Sequence, residues 1–141
     1  MPISTKVTEL VTKPLPKVIS PRIHSMIDYG TAAAFFAAGA LLWNKNKRAS
    51  LAAYLCADII GSLMFLTDAP GGVWKKISFE THGKIDPGLA ALAASAPNFL
   101  GFTDEKESKF FQSMGVALAA VGSMTDYEQG SSNADTRRRA A

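Results

Sequence analysis

The chain has 141 residues, enough for one compact unit and too few for two ordinary domains. Its hydrophobic content of 48% lies in the globular range and its net charge is a modest +3, and no basic patch interleaved with aromatics points to nucleic acid. The single cysteine, Cys56, excludes an internal disulfide and sits in an apolar stretch, where it reads as a small core residue.

Residues 1–21 mix Pro, Thr and Lys with scattered apolar residues and are expected to form a surface or amphipathic arm on the cytoplasmic side. They do not resemble a secretory signal, because the apolar region begins only after residue 24. Four hydrophobic segments follow, at 22–43, 48–67, 82–102 and 106–125. Each is close to the ~20 residues that carry a helix across about 30 Å of hydrocarbon. A soluble amphipathic helix would carry a charged stripe, yet no charge occurs from Thr31 to Trp43 or from Pro87 to Asn98. The expected fold is therefore all-α, a polytopic membrane four-helix bundle over residues 22–130, followed by a flexible basic tail over 131–141 with Arg137, Arg138 and Arg139.

An internal repeat organises these segments. His24 and His82, Asp28 and Asp86, Gly30 and Gly88, Thr67 and Thr125, Asp68 and Asp126, and Gly72 and Gly130 are each 58 residues apart. Aligning 22–72 on 80–130 without a gap gives 12 identities in 51 positions. A unit of two spans used twice makes the copies parallel, related by a pseudo-two-fold axis along the membrane normal. The starts of odd spans and the ends of even spans then share one side, which gathers His24, Asp28, Thr67, Asp68, His82, Asp86, Thr125 and Asp126 near one interface. A spacing of four puts each His and its Asp on one helical face. That side carries ten basic residues (Lys6, Lys13, Lys17, Arg22, Lys75, Lys76, Lys84 and Arg137 to Arg139) against five opposite (Lys45, Lys47, Arg48, Lys106 and Lys109), so the positive-inside rule places it and both termini in the cytoplasm. Ala53, Ala57 and Gly61, and likewise Gly115, Ala119 and Ser123, lie four apart and are expected to form helix contact faces.

The stretches "IHSMIDYGTAAAF", "LTDAPGG", "THGKIDPGLAALAASAPNFLGF" and "MTDYEQG" resemble the SPW-repeat family of small bacterial integral membrane proteins. In that family a two-span unit occurs twice, and its first helix commonly carries Ser-Pro-Trp followed by a Gly-Phe end. The second copy here keeps Ser95, Pro97 and Gly101-Phe102 but lacks the Trp, and the first copy has neither Ser nor Pro there. The resemblance implies a multi-pass protein of the bacterial inner membrane and little about activity.

Three chemistries suit the polar cluster. The plainest is a hydrogen-bonded His–Asp network fixing helix ends, with no cofactor, in an accessory protein that acts through the bilayer and a protein partner or a second copy of itself. The second is a haem or divalent-metal site using His24 and His82, with Asp28 and Asp86 as further metal ligands. The third is small-solute or proton carriage. It would use Asp58, an acid ten residues into the second span that should face the bundle, be protonated, or pair, with Tyr54 and Gln112 as candidate partners. No phosphate loop, Cys-x-x-Cys, His-Glu-x-x-His or nucleophile–base pair is present, so enzymatic activity is not expected. The loop 73–80, with Trp74, Phe79, Lys75 and Lys76, is expected to lie in the headgroup region as an interfacial anchor.

Overall fold

A computed structural model describes residues 14–141; most of the N-terminal arm, up to residue 13, lies outside the described residues. The described chain is mostly helical. Helix α1, Pro21–Leu42, starts where the Ser20 side chain accepts from the Ile23 amide and Pro21 occupies the first turn, its missing N–H costing nothing there. Helix α2, Lys47–Leu66, is capped by Asn46, whose side-chain oxygen accepts from Ala49 N at 3.1 Å. Helix α3, Phe79–Phe99, is capped by Ser78 and holds Pro87 and Pro97, and helix α4 runs Ser108–Met124.

Helices α1 and α2 form one hairpin, α3 and α4 form another, and α2 packs on α3 to join them. Four phenylalanines close the middle of the bundle: Phe35 and Phe110 stand edge to face, and Phe111 lies 5.7 Å from Phe35 and 5.3 Å from Phe102. Around them, buried Ala49, Ala52, Ala53, Ala57, Ala90 and Ala93 let the helix backbones approach. Gly115 touches α3 so closely that an added Cβ would meet Ala94 Cβ at 2.6 Å and Ala90 O at 2.7 Å. Ala53 and Ala57 are buried, so the α2 contact face lies where the small-residue spacing places it; Ala119 and Ser123 are instead exposed, beyond the α3–α4 contact.

The four helices fall close to the four hydrophobic segments, but only α1 and α2 are long and apolar enough to cross a membrane. Helix α4 has 17 residues, and α3 carries Lys84, Asp86 and two prolines within its length. The 73–80 segment departs from expectation. Rather than lying apart as an anchor, it folds back so that Ile77–Ser78 (β2) pairs in parallel with Thr67–Asp68 (β1) at the end of α2. Lys75 takes φ 47° to make that turn, and Trp74, still exposed, stacks on Phe65 at 5.5 Å. A second parallel bridge joins Ile19 to Thr125, so the chain segments entering α1 and α3 each pair with the end of a helix from the opposite half or neighbouring turn.

The basic tail, expected to be flexible, is helical. Helix α5, Tyr127–Ala140, is capped by Asp126, whose carboxylate accepts from Gln129 N at 3.0 Å, with Glu128 in the first turn and the three arginines in the last. Those charges complement the helix dipole at both ends. Arg137 and Arg138 then reach the carboxylate of Asp68 at 3.5 and 3.2 Å, and Lys75 approaches it at 3.6 Å.

Candidate metal centre

The capped first turns of α1 and α3 begin next to the ends of α4 and α2, and this places four side chains face to face. His24 and Asp28 come from α1, His82 and Asp86 from α3, and all four are buried. The two imidazoles meet through Nε2, 3.3 Å apart. His24 Nε2 lies 3.2 Å from Asp28 Oδ2 and 3.4 Å from Asp86 Oδ2. His82 Nε2 lies 3.0 Å from Asp28 Oδ2 and 3.1 Å from Asp86 Oδ1. One ligand atom from each of the four residues fits within a 4.8 Å cluster.

The opposite ring nitrogens fix the tautomers. His24 Nδ1 is 2.8 Å from Thr125 Oγ1, and His82 Nδ1 is 2.8 Å from Thr67 Oγ1. Each threonine hydroxyl already donates its only hydrogen to a helix carbonyl, Thr125 to Val121 O at 2.7 Å and Thr67 to Leu63 O at 2.6 Å. The hydroxyls can then only accept, so both imidazoles carry their proton on Nδ1. Neutral rings turn their Nε2 lone pairs towards the two carboxylates, whereas rings protonated at Nε2 donate to them at the same 3.0–3.4 Å. With both rings neutral the cluster presents four electron-pair donors, and among the described residues Tyr127 adds a donor through its hydroxyl to Asp86 Oδ2. Burial first, and then the adjacent Asp86 carboxylate, raise the Tyr127 phenol above its ordinary pKa and keep it a donor.

The spacing is compatible with a loose coordination sphere. Tetrahedral ligands at the 2.0–2.1 Å typical of Zn–N and Zn–O bonds stand about 3.3 Å from one another. Five nitrogen–nitrogen and nitrogen–oxygen separations, with Asp86 contributing Oδ2 to one and Oδ1 to another, span 3.0–3.4 Å, and one ligand atom from each residue falls within 4.8 Å, so the carboxylates would have to draw in around an ion. Charge matches too. Two buried carboxylates need two compensating positive charges in a low-dielectric site, and two imidazolium N–H groups directed at each other across 3.3 Å would repel. A single divalent cation satisfies all four donors together. Haem fits poorly: axial nitrogens on opposite faces of an iron porphyrin stand about 4 Å apart with the macrocycle between them. Here the nitrogens are closer, and both carboxylates occupy the space a porphyrin plane would take.

Aromatic rings seal the centre. Phe79 stands edge-on to His24 at 5.4 Å, Tyr127 does so at 5.5 Å, and the two pack on each other at 5.0 Å. Gly83 and Gly130 make room for them, since a Cβ at Gly83 would run into the Tyr127 ring and one at Gly130 into Phe79.

Of the eight residues expected at one interface, six converge: the two His–Asp pairs bear directly on the centre, and Thr67 and Thr125 orient the imidazoles. Asp68 and Asp126 do not join it. Asp68 holds the basic end of α5, and Asp126 caps that helix. Asp58 lies on the outer, exposed face of α2 rather than towards the bundle, and among the described residues no hydrogen bond joins it to Tyr54 or Gln112. Tyr54 instead packs against Gly39 and Phe36. Tyr127 was not foreseen; the signal for it is that it follows the repeated Thr-Asp where the first copy has Ala69.

No protein-family model matches the chain, and no curated protein and no solved structure shows significant similarity to it.

Proposed function

We propose that this protein is a helical membrane protein that binds one divalent transition-metal ion between two hairpins, through His24, Asp28, His82 and Asp86. The observation that carries the reading is the convergence of two Nε2 atoms and two buried carboxylates within 4.8 Å, with each Nδ1 held by a threonine hydroxyl. Two nitrogen and two oxygen donors of borderline hardness suit Zn2+, Fe2+ or Mn2+ better than soft cuprous copper. Four protein ligands, none more than 8% exposed, describe a closed site, the form that structural rather than catalytic metals take. The proposed role is accordingly architectural: the ion ties a duplicated two-helix unit into one body that serves as an accessory component of its membrane.

The membrane placement is supported by two helices of sufficient length and apolarity and by large outward-facing apolar residues such as Met26, Phe36, Leu41, Leu51, Leu55 and Val116. The basic bias of the sequence supports a cytoplasmic position for the metal centre.

The test is metal analysis of protein extracted from alkali-washed membranes, beside a His24→Ala/His82→Ala variant. One metal per chain in the parent and none in the variant is the expected result. A metal-free parent whose stability is indifferent to chelator overturns the proposal and leaves a protonated His–Asp network in its place. Release of the chain by alkali would separately overturn the membrane placement.

A further inference from the structure

A groove of about 600 Å3 opens on the outer surface between α3 and α4 and touches the metal centre at Asp86 and Tyr127. Its walls are almost wholly apolar, with Pro87, Ala91, Ala94 and Ala119 among them, and its deep end is closed where Gly115 meets α3. At its mouth stand Ser123, the Tyr127 ring and Lys17. The Lys17 ammonium donates to Ser123 O at 2.8 Å, and among the described residues no carboxylate lies within 4 Å of it.

Residues 58 positions apart show why the groove exists. Where the second half has Pro87, Ala94, Gly122 and Ser123, the first half has Tyr29, Phe36, Met64 and Phe65. Four large side chains at the corresponding positions are thus small here, and all four small ones line the cavity. The cation differs in the same sense. Lys75, the counterpart of Lys17, pairs with Asp68, whereas Asp126, the counterpart of Asp68, is turned away to cap α5. The equivalent face of the first half holds a smaller hollow of about 400 Å3, narrowed by Phe65, and among the described residues Lys17 has no carboxylate partner. The volume of the α3–α4 groove falls in the range of small-molecule sites. The mouth, next to the charged end of the bundle, offers one ammonium with N–H groups to spare.

We propose that the α3–α4 groove binds a long-chain fatty acid, its single chain along Ala94 and Ala119 and its carboxylate on the Lys17 ammonium. One chain-sized apolar slot with one cation at its mouth matches an amphiphile with one chain and one negative charge. The proposal shares the membrane placement argued above and needs no metal, although Asp86 borders both sites.

The experiment uses the full chain in phosphatidylcholine nanodiscs, with radiolabelled oleate as probe and metal content measured on the same samples. The expected result is saturable binding of one oleate per chain. Lys17→Gln should weaken it five- to tenfold, and A119F/S123F, which puts two rings into the groove, should abolish it, with metal content unchanged in both. Binding that is non-saturable, or equal in A119F/S123F, overturns the proposal. So does unchanged affinity in Lys17→Gln, a position outside the helices where a folding defect is not expected. Displacement of oleate by equimolar phosphatidylglycerol also overturns it, since a two-chain lipid would then be the occupant. Loss of metal from the parent protein would instead count against the metal reading alone.

Discussion

Replacing His82 by alanine tests the metal centre most directly, because it removes one donor while sparing every backbone hydrogen bond of α3. A four-ligand structural zinc site binds with roughly 10–16 kcal/mol at neutral pH. Shared over four ligands, that is about 3–4 kcal/mol each, so losing His82 should weaken metal binding by roughly 10²- to 10³-fold. The folded state should respond in step, since an ion that binds only the native chain stabilises it by RT ln(1 + [L]/Kd). At a fixed free metal concentration the parent should therefore melt much higher with metal than with chelator, and His82→Ala should show little difference. A purely hydrogen-bonded network gives another pattern. The variant would strand Thr67 and Asp28 and lose about 1–3 kcal/mol with or without chelator, and the parent would ignore chelator altogether. Differential scanning of both proteins with zinc and with chelator distinguishes the two. Equal chelator responses in parent and variant would refute the metal reasoning.

Further outcomes follow from the contacts around that centre. Thr125→Val, which frees His24 Nδ1 from its orienting hydroxyl, should cost about 10- to 100-fold in metal affinity by competition titration, and Thr67→Val the same through His82. Tyr127→Phe should remove a phenol that resists ionisation. The ultraviolet difference between parent and variant should show no phenolate roughly one unit above the ordinary tyrosine pKa of about 10. Gly115→Ala drives a methyl onto Ala94 Cβ and Ala90 O, so α3 and α4 must separate at a cost of about 1–3 kcal/mol in thermal or denaturant unfolding. Asp68→Ala removes the anchor of Arg137 and Arg138. Both arginines are half-exposed or more, so the loss is about 1 kcal/mol, read as roughly fivefold faster tryptic cleavage at the α5 end.

The helices and the meeting of the two His–Asp pairs were legible in the sequence because both follow from periodicity. Length and apolarity set the segments, and a 58-residue offset carried His, Asp and Thr to corresponding ends of corresponding helices. Three features were not legible, each for a physical reason. The distance between Nε2 atoms depends on how far α1 and α3 approach, which packing decides and spacing does not. That distance decides whether the cluster can form only separate hydrogen-bonded pairs or could also close around one ion. Helix α5 was hidden because its sequence is polar throughout and its stability comes from a cap at Asp126 and a distant acid, Asp68, that composition does not connect to the arginines. Asp58 illustrates the reverse failure. The cost of an intramembrane acid argues that it should turn inward, yet the helix face it occupies is set by its neighbours Ala57, Ile60 and Gly61, which must pack.

The two halves also explain why the proposed centre would hold one ion rather than two. A two-helix unit alone offers one His and one Asp at i and i+4, and two ligands from a single helix face leave a transition metal half coordinated. Placing a second copy in parallel brings an identical pair to the same end, and the two sets face each other across the pseudo-axis. The threonine that orients each imidazole comes from the end of the even helix in each half: Thr67 closes α2 and serves His82, while Thr125 closes α4 and serves His24. Each histidine therefore depends on the half that contains the other. That exchange makes the metal centre a property of the paired halves, and it predicts that neither hairpin expressed by itself binds metal with the affinity of the whole chain.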